Sequence, residues 1–156
     1  MFIFEQMERE YDMKQNIWMA IKEFDDAYSL CRKGIMKKYD LSAIEVDVLL
    51  FLYNNQQYTT AAEISFMRKI PKSHVSLAVN GLFEKGYIEK IQDQSNKKKI
   101  HLIITSKAKD IIDYSLICQK EFADALIEGF SRQEMESFID FLARMRKNVK
   151  EYSKKH

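Results

Sequence analysis

The sequence predicts a mainly α-helical fold carrying one small β-hairpin, an α+β arrangement, and three observations lead there. The 156 residues include only 4 Gly and 1 Pro, too few breakers for a disordered or fibrous chain. Serine or threonine stands three residues before glutamate in "SAIE", "TAAE" and "SRQE", and each is a capping box that opens a helix. Between the second and third of these, "YIEKI" and "IHLIIT" flank the turn-forming "DQSNK", which reads as two strands joined at a tip.

The elements follow in order. From about residue 8 to 38, Trp18, Ile21, Phe24, Tyr28, Cys31 and Ile35 recur at steps of three and four, the apolar face of a long first helix. Ser42 and Glu45 box the start of a second helix running to about Tyr53, with Leu41 and Val46 as its apolar staple. Its "VDVLLFLY" is apolar nearly all round, so it is expected to be the buried central helix. Thr60 and Glu63 open a short third helix that must end before Pro71, because the residue preceding proline is pushed out of the helical region.

The fourth helix is expected from Pro71, at its first helical position, to Lys85. Val75, Ala78, Val79, Leu82 and Phe83 fall on its inner face, leaving Ser73, His74, Ser76, Leu77, Asn80 and Gly81 outside. Gly86 supplies the left-handed residue that ends it. On the returning strand Ile100, Leu102 and Ile104 share one side. Thr105 is expected to cap a fifth helix to about Glu128, and Ser131 with Glu134, stapled by Phe130 and Met135, a sixth. Helix, short helix, longer helix and hairpin make a winged helix-turn-helix. It occupies 39–106, between an N-terminal helix (1–38) and C-terminal helices (107–156).

Charge is segregated along the chain. Between Arg68 and Lys107 nine basic residues face three acidic ones, a local +6, so the remainder carries −4 of the net +2. A basic middle between acidic flanks is the pattern of a polyanion-binding module. Lys97, Lys98 and Lys99 stand at the hairpin tip. Alone, such a run is a solvated turn. Beside a helix that enters the major groove, a wing bearing Lys97, Lys98, Lys99 and Asn96 lies where phosphates run.

The sixth helix places Met135, Phe138, Leu142, Met145, Val149 and Tyr152 at heptad-like steps. This stripe either packs on the chain's own core or joins a second copy. A winged helix already has a core, so the stripe, joined by Trp18, is assigned to a homodimer interface. Other chemistries find no support. Histidine occurs only at 74, 101 and 156, without zinc-ligand spacing. There is no GxGxxG, P-loop or GxSxG, so no enzyme, cofactor or metal is expected. "MFIF" is followed at once by Glu5, Glu8 and Glu10, which is no export signal and no membrane span. A cytoplasmic protein is expected, with Cys31 and Cys118 as reduced, buried thiols.

Residues 41–111, with "GYIEKIQD" leading into the wing and "IIT" leaving it, resemble the MarR family of bacterial transcriptional regulators. At the wing tip Asp93 matches the family's first acid, while Asn96 stands for the second and Lys97-Lys98 for a pair of arginines. Lysine keeps the charge without the planar fork, which favours plain phosphate binding. The resemblance assigns phosphate and base contacts to Ser73, Ser76 and Asn80. Lys72 and His74 are their basic neighbours, and Leu77 replaces a residue that is often basic.

The family acts as dimers on palindromic sites. The resemblance thus implies a sequence-specific homodimeric regulator of double-stranded DNA, a repressor relieved by a ligand. Family members often hold small aromatic effectors between the dimer helices and the winged domain, where Phe24, Tyr28 and Phe51 are the candidate cleft residues or else plain core. A winged-helix module used only for protein contacts is the alternative, and such a module has no need to gather lysines on its wing.

Overall fold

The computed structural model describes residues 2–155, with side chains for Asp12 and for 15–155. The side chains of Glu5, Glu8 and Glu10, on which the reading of the N-terminus rests, lie outside the described residues, as does His156. Six helices and one hairpin follow in order: α1 (Phe2–Tyr39), α2 (Ala43–Asn54), α3 (Ala61–Arg68), α4 (Lys72–Glu84), β1 (Ile88–Gln92), β2 (Ile100–Ile104), α5 (Lys109–Leu126) and α6 (Arg132–Lys155). They form two compact units, residues 1–119 and 120–156, the boundary falling within α5.

In the first unit α2 is the centre. Ser42 is extended (ψ 160°), accepts from the Glu45 amide, and its own amide donates to the Glu45 carboxylate. From Val46 onward Val48, Leu49, Leu50, Phe51 and Leu52 are all buried. Ile64 of α3, Val75 and Leu82 of α4, Ile88 of β1 and Leu102 of β2 close around them, with Ile35 and Ile111 from the flanking helices. Roughly 1.5–3 kcal/mol for each fully buried side chain of this size drives the assembly. The end of α1 is tied to α5, where the Tyr39 hydroxyl donates to the Asp110 carbonyl at 3.0 Å. The expected apolar face of α1 is divided: Ile35 is buried, whereas Trp18 is 69 % exposed and Phe24 52 %; Cys31, like Cys118 of α5, is half-buried rather than buried.

Four local expectations are corrected. Pro71 caps α4 from outside it, at φ −54° and ψ 139°; its carbonyl accepts from the His74 and Val75 amides, and its extended ψ excludes it from the first turn. Phe83 is 47 % exposed rather than inward, lying under the Lys90 ammonium at 4.8 Å. Gly81 turns toward Glu45 instead of outward. Thr105 makes no cap bond; its hydroxyl donates to the Gly86 carbonyl at 2.7 Å, and a 3-10 turn, Ser106–Ala108, precedes α5. Gly86 adopts φ 74° as expected for the residue that ends α4.

The hairpin is antiparallel, with Ile88 opposite Ile104, Lys90 opposite Leu102 and Gln92 opposite Ile100. In the second unit Ser131 and Glu134 form the expected box at the start of α6, and Phe130 meets Phe138 edge-on at 6.2 Å. No described residue of α6 is buried. Among the described residues no helix is long and apolar enough to cross a membrane.

Candidate nucleic-acid interface

One face of α4 is built outward. Val75, Ala78, Val79 and Leu82 are buried, so the 3.6-residue period sends Lys72, Ser73, His74, Ser76, Leu77 and Asn80 to the opposite side, where all six are exposed. Leu77 is 74 % exposed; with His74 it lines a groove of about 590 Å³ beside the start of α2. The helix is held from behind. Lys85 donates to both carboxylate oxygens of Glu45, at 3.0 and 3.1 Å, and to the Asp40 carbonyl at 2.8 Å.

The wing is joined to this helix and to the body. Lys90 of β1 donates to Asn80 Oδ1 at 2.6 Å. On the far edge of β2, the Leu102 amide donates to the Thr59 carbonyl at 2.7 Å. At the tip, Asp93 Oδ1 accepts from the Ser95 amide and hydroxyl and from the Asn96 amide, all within 2.9 Å. Asp93 Oδ2 meets His101 Nε2 at 2.8 Å. These bonds, the histidine's first, hold the Asp93 carboxyl well below the usual carboxylate range. Gln92 Nε2 donates to the Lys97 carbonyl at 2.7 Å, and the Lys98 amide donates to Asn96 Oδ1 at 3.1 Å.

Not all of the basic segment is available to a partner. Lys85 is held by Glu45, Lys90 by Asn80, and Arg68 lies 3.6 Å from Asp47. Lys69 stands over the Phe66 ring at 4.6 Å, and Lys107 donates to the Lys85 carbonyl. Asn96, Lys97, Lys98 and Lys99 are exposed. Among the described residues the Lys97 and Lys98 ammonium groups meet neither an acceptor nor a carboxylate, while the charge of Lys99 acts on Glu63. Exposed positive charge without a carboxylate partner among the described residues therefore stands at the tip, on Lys97 and Lys98, and at the start of α4, on Lys72.

The residues assigned to dimerisation leave apolar surface exposed within each unit. Phe138, Leu142, Met145 and Val149 are exposed along α6, Met135 is half-buried, and Trp18 is exposed on α1. The three cleft candidates are not gathered into one wall. Tyr28 and Phe51 border a cavity of about 100 Å³ together with Asp47, Asn55, Arg68 and Gln119, and Phe24 is not among its lining residues. Phe51 is a core residue stacked on Tyr58 at 6.2 Å. Sequence reasoning missed the Asn80–Lys90 and Asp93–His101 contacts, which join residues ten and eight positions apart across a strand and a turn. The strand alternation that places Lys90 and His101 was the available signal.

An outward polar helix face beside a hairpin with unpaired lysines at its tip defines the winged helix-turn-helix class. Residues 39–99 match the sequence profile of the MarR family. Over 149 residues the chain is 29 % identical to the "Uncharacterized HTH-type transcriptional regulator YybA" of Bacillus subtilis (strain 168), covering 92 % of this chain and 95 % of that one. A MarR transcriptional regulator from Methanosarcina mazei Go1 superposes with a TM-score of 0.71 at 19 % identity, over 87 % of this chain and 98 % of that one. The transcriptional regulator SlyA does so at 0.70 and 25 % identity, over 86 % and 94 %. Staphylococcus aureus MarR, in complex with salicylate and kanamycin, gives 0.74 at 18 %, over 89 % and 93 %. Residues 39–99 thus carry the profile of the MarR family, and the chain has the fold of that family's transcriptional regulators.

Proposed function

We propose that the protein is a homodimeric, cytoplasmic repressor that binds a palindromic DNA operator and is released by a small aromatic ligand. The observation that carries this reading is the exposed face Ser73, Ser76 and Asn80 set beside a wing whose Lys97 and Lys98 have no carboxylate partner among the described residues. The helix face offers hydroxyls and an amide to base edges and phosphates, and the wing offers charge to the flanking backbone. The apolar stripe on α6 supplies surface for a second copy. Two copies related by a dyad present two helices to half-sites about 10 base pairs apart. Ligand relief is supported by the salicylate complex of the Staphylococcus aureus relative.

The test is selection of binding sites from genomic duplex by the purified protein, followed by titration at several salt concentrations. Lys97→Ala with Lys98→Ala should weaken selected and random duplexes alike and lower the log–log salt slope by about one unit for each phosphate that a subunit no longer neutralises. Five base pairs inserted at the centre of the selected site should abolish joint binding of its halves. An unchanged salt slope would make the lysines a solvated turn and favour the protein-interaction module instead.

A further inference from the structure

We propose that His101 is the positioning residue of the wing: its ring joins the tip acid Asp93 to the Thr59 turn ahead of α3, and so sets where Lys97 and Lys98 stand. The inference rests on the DNA-binding reading above. The geometry is a relay through one imidazole. Nε2 meets Asp93 Oδ2 at 2.8 Å, and Nδ1 meets the Thr59 hydroxyl at 2.6 Å. Oδ1 of the same carboxylate gathers Ser95 and Asn96 into the turn from which the lysines start. On the other side, the Thr59 amide donates to the Glu63 carboxylate at 2.9 Å, and that carboxylate also caps α3. An unbroken line of polar contacts therefore runs from the start of α3 to the wing tip.

Without the ring, Asp93 would still shape the turn, but the turn would lose its side-chain link to the body. The backbone bond from Leu102 to Thr59 would remain as a pivot. The link also survives a change of charge. A carboxylate only accepts, so Nε2 carries a proton; the Thr59 hydroxyl then donates to Nδ1 of a neutral ring or accepts from a charged one. The charged groups around the ring, among the described residues, are Asp93 from the tip, Glu63 from α3 behind Thr59, and Lys99, whose charge reaches Glu63.

The experiment titrates full-length protein with its selected site and with random duplex. His101→Ala should bind both duplexes roughly three- to tenfold more weakly, the worth of about one hydrogen bond. His101→Gln can still donate to Asp93 and should restore the parent's affinity. Thr59→Val, which retains the backbone bond to Leu102, should show an intermediate loss.

Circular dichroism identifies an unfolded alanine variant, in which case His101→Gln and Thr59→Val decide. A His101→Ala protein with the parent's affinity overturns the inference. So does a His101→Gln protein that binds as weakly as His101→Ala. If the parent binds no duplex at all, the DNA-binding reading falls and takes the inference with it. If binding is intact and depends on Lys97 and Lys98 but ignores His101, only the inference falls.

Discussion

Gly81 of α4 lies so close to Glu45 of α2 that a methyl group on it would stand 2.4 Å from the carboxylate oxygen Oε1. That carboxylate cannot swing aside freely, because it boxes the start of α2 and holds Lys85. Alanine in mid-helix would on propensity alone be favoured by about 0.8–1 kcal/mol. Here Gly81→Ala should instead destabilise the fold by roughly 1–3 kcal/mol, through the bonds Glu45 must give up. Urea unfolding measures it. In a Glu45→Ala background the same substitution should be neutral or stabilising, and equal effects in both backgrounds would show that the two residues are not coupled.

Asn80 supplies a sharper statement about sequence preference. An ammonium only donates, so the Asn80 atom facing Lys90 is the oxygen. Its amide hydrogens are left to meet acceptors on a base edge, rather than the paired donor and acceptor of adenine. Asn80→Ala should cost roughly 1–3 kcal/mol on the selected site and almost nothing on random duplex. Base-by-base substitution of the site should place the missing hydrogen bond at a guanine or thymine.

Assembly through α6 is tested by charge. Leu142→Glu with Met145→Lys sets charges in the apolar stripe, and should yield monomers or unfolded chains that no longer bind duplex. Sedimentation at micromolar concentration reads the outcome. A parent protein that is already monomeric there would remove the basis for the assignment.

Acid should loosen the start of α6 in a defined direction. The Ser131 hydroxyl and amide hold the Glu134 carboxyl below its ordinary value of 4.5. The folded value is the lower one, so the cap contributes fully above pH 4.5 and is lost as pH falls through the folded value. Helical dichroism followed from pH 7 downward should therefore fall more in the parent than in Glu134→Gln. Identical curves would mean that the box adds nothing to the helix.

The helix starts were legible because their chemistry is local: Ser42 with Glu45, Thr60 with Glu63 and Ser131 with Glu134 form the expected reciprocal bonds. The outward residues of α4 were legible from a 3.6-residue period, and the hairpin from its turn residues. What escaped lies between residues far apart in the chain. Lys85 meets Glu45 across forty positions and Thr59 meets His101 across forty-two, distances over which no periodicity speaks. Gly81 and Phe83 sit at the edges of the helical stripe, where the inner or outer assignment depends on the neighbour. For Gly81 that neighbour is a carboxylate; for Phe83 it is a lysine.

The turn at the wing tip needs no glycine and no residue at positive φ, since Asp93 closes it with side-chain bonds. A segment shaped in this way is ordered before it meets anything, and pays no ordering entropy on contact. Its association rate should accordingly be governed by diffusion and long-range charge, rising as ionic strength falls and responding little to temperature beyond the viscosity of water. A tip that had to fold on arrival would give slower capture with a steep temperature dependence, so stopped-flow traces separate the two regimes without reference to affinity.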